Sequence, residues 1–149
     1  MNDRYLYRAK RKNWRELPKE MWWVEGYLFD DGFENGRMFV GGIVIEEYHG
    51  TACDDWIITG INFYEVETST ICQCTGLKDK NGKLIWENDI VKHDFGKEQI
   101  GVQLAIVKYD SKYACYQIKP IYDWMYCDKS DCEVIGNIFD NPELLEVGE

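Results

Sequence analysis

Short apolar runs separated by turn signals constrain the fold of this chain more than any other feature of its sequence. Residues 4–8 alternate polar and apolar side chains, and residues 22–29 and 37–45 are rich in aromatic and β-branched types. A period of two is typical of a strand, whereas an amphipathic helix repeats every 3.6 residues. The pattern predicts a mainly β, antiparallel fold with strands near residues 4–9, 22–29, 37–45, 61–66, 83–92, 100–109, 113–122 and 133–139.

Turn chemistry predicts how some of these strands connect. Residues 10–20, which include Pro18, form the expected loop between the first two strands, and residues 110–112 join the long pair 100–109 and 113–122. Asn81-Gly82 is the strongest turn signal, because this dipeptide tolerates the positive φ of tight hairpins. Asn141 as N-cap and Pro142 at the first helical position predict one short C-terminal helix.

Length and composition predict a single domain over residues 1–149. A chain of 149 residues with 45% hydrophobic and 30% charged side chains is typical of one globular domain or two very small ones. If the domain divides, the boundary is expected near residues 68–75, giving an N-terminal β subdomain 1–67 and a C-terminal subdomain 68–149.

The charge distribution limits the class of partner. The formal net charge of -10 argues against general nucleic-acid binding, because affinity for phosphate backbones comes mostly from Lys and Arg. Residues 1–20 are the exception, since seven basic and three acidic side chains give them +4. Pairing with the acidic remainder of the chain would account for this, and so would an anion site on the N-terminal strand. No apolar run approaches the roughly 20 residues that span a bilayer, and we expect a cytoplasmic protein without a membrane partner.

The six cysteines predict neither a disulfide framework nor a metal site. One residue lies between Cys72 and Cys74 and four lie between Cys127 and Cys132, and neither spacing matches a zinc knuckle. We expect six reduced thiols, no metal and no other cofactor. His49 and His93 are the only histidines, which leaves a Cys–His dyad open in principle. Since no catalytic motif is present, we expect no enzymatic activity and no catalytic residue.

Two specific blocks, together with the strand pair formed by residues 8–11 and 23–27, carry a family resemblance that spans nearly the whole chain. Residues 70–92 read TICQCTGLKDKNGKLIWENDIVK, and residues 133–145 read EVIGNIFDNPELL. They resemble the YopX family of phage and prophage proteins, with Cys74 where an aromatic is usual and Asn88 where Gly is usual. The resemblance implies a β-rich fold with a small-barrel-like C-terminal part. It brings no established activity, cofactor or catalytic residue.

Cations and aromatic side chains coincide on the first predicted hairpin. A guanidinium binds phosphate through two hydrogen bonds, and an aromatic ring stacks on a base for about 1–3 kcal/mol. The predicted ligand-binding residues are Arg8, Arg11, Tyr5, Tyr7, Trp22 and Trp23.

With the resemblance, these residues predict a non-enzymatic, phage-encoded binding protein in the cytoplasm of a bacterial host. It would antagonise a host process by sequestering a nucleotide-derived small molecule of anti-phage defence. One alternative is an acidic antagonist that binds a host protein as a nucleic-acid mimic would, and another is an uncharacterised hydrolase. The 22 aromatic side chains also predict a homo-oligomer, because exposed apolar patches mark interfaces.

Overall fold

The computed structural model describes residues 3–34, 36–48, 55–94, 102–119 and 132–146. Over these ranges the chain is mainly β, with antiparallel strand pairs and short 3-10 turns. The mainly β, antiparallel class predicted from the sequence is confirmed. The chain divides into an N-terminal unit, Tyr5–Ile71, and a C-terminal unit made of Met1–Arg4 and Cys72–Glu149.

Four antiparallel strands build the N-terminal unit. They are β1 (Tyr7–Lys10), β2 (Trp23–Asp30), β3 (Met38–Tyr48) and β4 (Asp55–Glu65), and they lie in the order β4-β3-β2-β1. The predicted first hairpin is confirmed, with Tyr7 opposite Gly26 and Lys10 opposite Trp23. The first strand is shorter than expected, because Asp3–Tyr5 forms a 3-10 turn.

The two ends of this sheet meet at a seam formed by residues 10–12 and 65–67. Arg11 makes an antiparallel bridge to Val66. Lys12 N donates to Glu65 O at 2.9 Å, and Glu67 N donates to Lys10 O at 2.8 Å. These bonds curl the four strands around a core of Ala9, Val40 and Val66, against which further apolar side chains pack: Tyr7, Val24, Leu28, Met38 and Ile71.

Gly41 permits the close approach of β3 and β4. A Cβ atom built on Gly41 would lie 1.9 Å from the carbonyl oxygen of Asn62 and 2.7 Å from the Cα of Phe63. Since both atoms belong to the backbone, a side chain at this position would force the two strands apart.

Six further strands build the C-terminal unit. They are β5 (Cys72–Lys78), β6 (Leu84–Trp86), β7 (Asp89–Asp94), β8 (Val102–Asp110), β9 (Cys115–Lys119) and β10 (Cys132–Asn137). β5 and β6 pair as a hairpin, and the other four form a sheet in the order β10-β7-β8-β9. The predicted pairing across residues 110–112 is confirmed. The buried core of the unit consists of Ile85, Val91, Ala105, Val107, Ile118, Cys132 and Val134.

Asp79 organises the turn between β5 and β6. Its Oδ1 accepts hydrogen bonds from the backbone N–H groups of Asn81 at 2.8 Å and Lys83 at 2.9 Å, and its Oδ2 accepts from Val134 N at 3.0 Å. Gly82 has φ +81°, so the Asn-Gly signal correctly marks a hairpin turn. The same carboxylate that shapes the turn therefore ties it to β10.

Residues 83–92, predicted as a β region with a turn at Glu87-Asn88-Asp89, form β6 and β7 with the turn at Glu87 and Asn88 between them. Asn88 has φ +66°, a left-handed conformation that Asn tolerates better than most residues. Asp89 stabilises the turn by accepting a hydrogen bond from Trp86 N at 2.9 Å. The predicted strands do not include β5, because its residues are not dominated by β-branched types.

The predicted C-terminal helix is wrong, because Pro142–Leu145 forms a 3-10 turn. Leu144 N donates to Asn141 O at 3.1 Å, which is the three-residue spacing of a 3-10 turn. The side chain of Asn141 makes no capping hydrogen bond at this turn, and its Oδ1 instead accepts from Asn137 N at 3.4 Å. A small-barrel-like C-terminal part stays a prediction. In the described part of the chain, no helix is long and apolar enough to cross a membrane.

Candidate functional site

Three indole rings of the N-terminal unit surround the ammonium group of Lys10. The Nζ atom lies 4.1 Å from the ring centroid of Trp14, 4.7 Å from that of Trp22 and 5.6 Å from that of Trp23. Lys10 is only 2% exposed. A cation over an aromatic face is attracted by the ring quadrupole, more strongly where water is excluded. We call these four residues the Lys10 cluster.

The loop between β1 and β2 closes over Lys10 through its own short turns. Trp14–Glu16 and Lys19–Met21 are 3-10 turns, and the Nε1 of Trp22 donates to Leu17 O at 2.9 Å. Trp14 and Trp22 meet edge to face, with ring centroids 4.7 Å apart. The loop therefore places the indoles of Trp14 and Trp22 against Lys10. The third indole belongs to Trp23, which lies opposite Lys10 on β2.

Further cations lie against the outer parts of the same rings. The guanidinium carbon of Arg8 is 5.1 Å from the centroid of Trp23, and that of Arg15 is 4.4 Å from the centroid of Trp14. The Nζ of Lys19 is 6.0 Å from Trp22. The Lys10 cluster thus sits within a positively charged part of an otherwise acidic chain.

A groove of about 490 Å³ lies at the seam of the N-terminal unit. The guanidinium of Arg11 stacks on the ring of Tyr64, with its carbon 3.8 Å from the ring centroid. The Nε of Arg11 is buried and has no hydrogen-bond partner among the described residues. Lys12 is exposed, and its Nζ is 4.0 Å from Glu67. The residues that line this seam groove are Arg11, Lys12, Asn13, Tyr64 and Glu65.

The predicted site residues separate into different places. Arg8, Trp22 and Trp23 contact one another or Lys10 at the Lys10 cluster. Arg11 lies in the seam groove, because residues three apart on an extended chain point to opposite faces. The remaining two are Tyr7, which packs on the core, and Tyr5, which is exposed in the first 3-10 turn.

Sequence reasoning missed three participants: Lys10, Trp14 and Tyr64. Lys10 is two residues from Arg8, so strand alternation could have placed the two cations on one face. Trp14 follows the basic segment directly and could have been grouped with Trp22 and Trp23 as an indole partner for it. No local signal pairs Tyr64 with Arg11, because only the closure at the seam brings them together.

A family model, the YopX protein, matches residues 13–146. This chain belongs to the YopX family. No curated protein matches it. Among solved structures, the YopX chain is similar to the crystal structure of protein EF1440 from Enterococcus faecalis, with 23% identity and a TM-score of 0.52. That match covers 93% of this chain and 96% of the other. At this identity it shows a shared fold and nothing about activity.

The side chains that could bind a metal are scattered over the described ranges of this YopX chain. Among those residues, no group of three or more His, Cys, Asp and Glu could hold a metal ion. Cys72, Cys74 and Cys132 are buried and Cys115 is exposed. His93 lies opposite Cys132 in the pairing of β7 with β10. The other residues considered for thiol or dyad chemistry lie outside the described residues: His49, Cys53 and Cys127.

Lys10→Met is expected to destabilise the N-terminal unit by about 1–3 kcal/mol, because the apolar stem is kept while three desolvated cation–aromatic contacts are lost. Urea denaturation followed by tryptophan fluorescence measures the effect. Lys19→Met is the matched control, since Lys19 is exposed and 6.0 Å from Trp22, and it should change stability by less than about 0.5 kcal/mol. Equal stability of Lys10→Met and the wild type would contradict the role given to the ammonium.

Proposed function

We propose that this YopX-family chain is a phage- or prophage-encoded, non-enzymatic binding protein that sequesters a nucleotide-derived small molecule of host anti-phage defence. It would act in the cytoplasm of the bacterial host and hold its ligand in the seam groove. The observation that carries the proposal is Arg11, which is stacked on Tyr64 and has a buried Nε donor without a partner. A phosphate oxygen is the acceptor that such a donor favours most.

The other groups of the seam groove suit the remaining parts of a nucleotide. Lys12 adds a second positive charge for the phosphate. The outer face of the Arg11 guanidinium offers a plane for a base, because arginine planes stack on bases as aromatic rings do. Glu65 can accept hydrogen bonds from ribose hydroxyls, a role that acidic residues fill in dinucleotide sites. A few such contacts give micromolar to nanomolar affinity, about -8 to -12 kcal/mol.

The charge distribution favours an anion at this place. Residues 1–20 carry +4 in a chain of net charge -10, so the acidic remainder repels polyanions while the N-terminal segment attracts a small one. The Lys10 cluster fixes the loop that follows Arg11, Lys12 and Asn13. Immobilising these side chains before binding lowers the entropy lost when a ligand binds.

Arg11→Ala is expected to weaken binding of the best nucleotide ligand about 10–100-fold, because a charge-assisted hydrogen bond contributes about 1.5–3 kcal/mol. Isothermal calorimetry against cyclic dinucleotides, ADP-ribose derivatives and mononucleotides measures this. Arg37→Ala is the matched control, since Arg37 also lies over an aromatic ring, Phe39, but outside the groove. Tight binding that survives Arg11→Ala would contradict the site assignment.

The same set of nucleotide ligands also tests two alternative functions. The residues beyond position 20 carry -14, which would suit a mimic of nucleic acid bound to a basic host protein. Absence of nucleotide binding, with a host protein recovered from infected cells, would replace sequestration by this function. Conversion of a bound nucleotide into product would instead identify a hydrolase.

A further inference from the structure

One face of the N-terminal sheet exposes a cluster of large apolar side chains. Each of them is between 36% and 70% exposed. The members of this outer apolar patch are Tyr27, Phe29, Ile43, Ile61 and Phe63.

The strand register places these side chains on one face. Gly41 lies opposite both Tyr27 and Phe63, and Ile43 lies opposite Ile61. Directly paired residues point to the same side of a sheet. Phe29 and Phe63 also meet edge to face, with ring centroids 4.8 Å apart. The opposite face of the same strands carries the core, so the patch is the outside of the unit.

The exposed area reaches that of the largest apolar patch on a typical monomer. From the size of such side chains, the five together expose on the order of 500 Å². The largest patch of a soluble monomer, about 300–600 Å², is often functional. A stable interface buries about 800 Å² on each partner and has an apolar centre with a polar rim. The patch would form the apolar centre of such an interface, and a narrow polar rim around it would bring the buried area to about 800 Å² on each partner.

The rim contains both signs of charge. Arg8 and Glu25 lie directly opposite each other on β1 and β2 and share the outer face. Glu65 lies opposite Phe39 on the same face, and the guanidinium of Arg37 is 5.9 Å from that ring. A rim with both signs suits a partner with the same arrangement, because a two-fold axis can bring each charge near an opposite one.

We propose that the outer apolar patch is a dimer interface, occupied by the same patch of a second copy of this chain. The second copy provides an apolar surface of matching size and a rim of mixed charge. In a two-fold interface both copies use the same residues. Glu65 of the rim also lines the seam groove, but none of the five patch residues does, so substitutions in the patch test this inference without altering the groove.

Sedimentation velocity between 1 and 100 µM tests the proposal with the full chain. We expect a species of twice the 17.6 kDa chain mass. Ile61→Glu should raise the dimer dissociation constant at least about 100-fold, since each dimer would bury two carboxylates without partners. Phe33→Glu is the matched control, because Phe33 is 73% exposed but lies beyond the end of β2, and its dissociation constant should stay within about twofold of wild type.

A milder variant covers the case in which Ile61→Glu fails to fold. Ile43→Thr keeps a β-branched side chain on the strand while it removes apolar surface and adds one uncharged hydroxyl. It should weaken the dimer about tenfold with an unchanged circular-dichroism spectrum. A monomer of 17.6 kDa at 100 µM would overturn the proposal. Association that neither variant weakens would show that copies meet through another surface, and would overturn it as well.

Discussion

Replacing Asp79 by Asn is expected to destabilise the C-terminal unit by about 2–3 kcal/mol at neutral pH. The carboxylate is 6% exposed and accepts three backbone hydrogen bonds, from Asn81, Lys83 and Val134. An amide offers only one acceptor oxygen, and its NH₂ group would face an N–H donor that now has no partner. The cost of leaving a buried donor unsatisfied is added to that of the lost charge-assisted bonds.

The same substitution should change how stability depends on pH. Burial raises the pKa of Asp79, but the hydrogen bonds from Val134, Lys83 and Asn81, with the charge of Lys83, lower it by more, so the pKa lies below its ordinary value of 3.8. A carboxyl whose pKa is lower in the folded state contributes stability above its unfolded pKa. That contribution is lost as the pH falls below about 4 through the folded-state value. The difference between wild type and Asp79→Asn should therefore shrink in acid.

Urea denaturation at pH 7 and pH 3 provides both tests. Asp30→Asn is the matched control, because Asp30 also accepts a backbone hydrogen bond within a turn, from Gly32 at 2.8 Å, but is exposed. It should change stability by less than about 0.5 kcal/mol. Equal urea midpoints for Asp79→Asn and wild type at pH 7 would refute the role of Asp79 as the link between the turn and β10.

Gly41→Ala is expected to destabilise the N-terminal unit by about 3 kcal/mol. The new Cβ would be 1.9 Å from the carbonyl oxygen of Asn62, so β3 and β4 would have to separate and lose ladder hydrogen bonds. Gly42→Ala is an adjacent control, since a Cβ there has no heavy atom within 4 Å. Urea denaturation followed by tryptophan fluorescence should show a change within about 1 kcal/mol for Gly42→Ala. Similar effects of the two substitutions would refute the proposed clash.

The fold class and several hairpins could be predicted because they depend on local chemistry. Alternation places β2 nearly where the sequence predicts it, and Gly82 adopts the positive φ that an Asn-Gly turn needs. The turn between β6 and β7 is a further local signal, and the backbone N–H of Asn88 within it donates to Val107 O at 2.8 Å. The C-terminal helix was predicted wrongly because it depends on a bond made elsewhere: the side chain of Asn141 is bonded to Asn137 N instead of capping a helix.

For the candidate site, the sequence predicted which types of residue take part but not how they are arranged. The basic and aromatic content of the first hairpin pointed to the N-terminal unit, and Arg8 and Trp23 do stack. Arg8 and Arg11 are separated because residues three apart on an extended chain point to opposite faces. Tyr64 could not be found in this way, because its contact with Arg11 requires the sheet to close between residues far apart in the chain.

The bridge between Arg11 and Val66 sets an order of events during synthesis. The first hairpin can form as soon as residues 7–30 leave the ribosome, but closure requires Val66 and Glu67. At 5–20 residues per second, the roughly 55 residues between the two partners take roughly 3–11 s to translate. During that interval the backbone groups of residues 10–12 lack their partners in residues 65–67 and can pair with other chains. Slow codons between β1 and β4 would lengthen this exposure, whereas slow codons after residue 71 would leave time for closure before the C-terminal unit emerges.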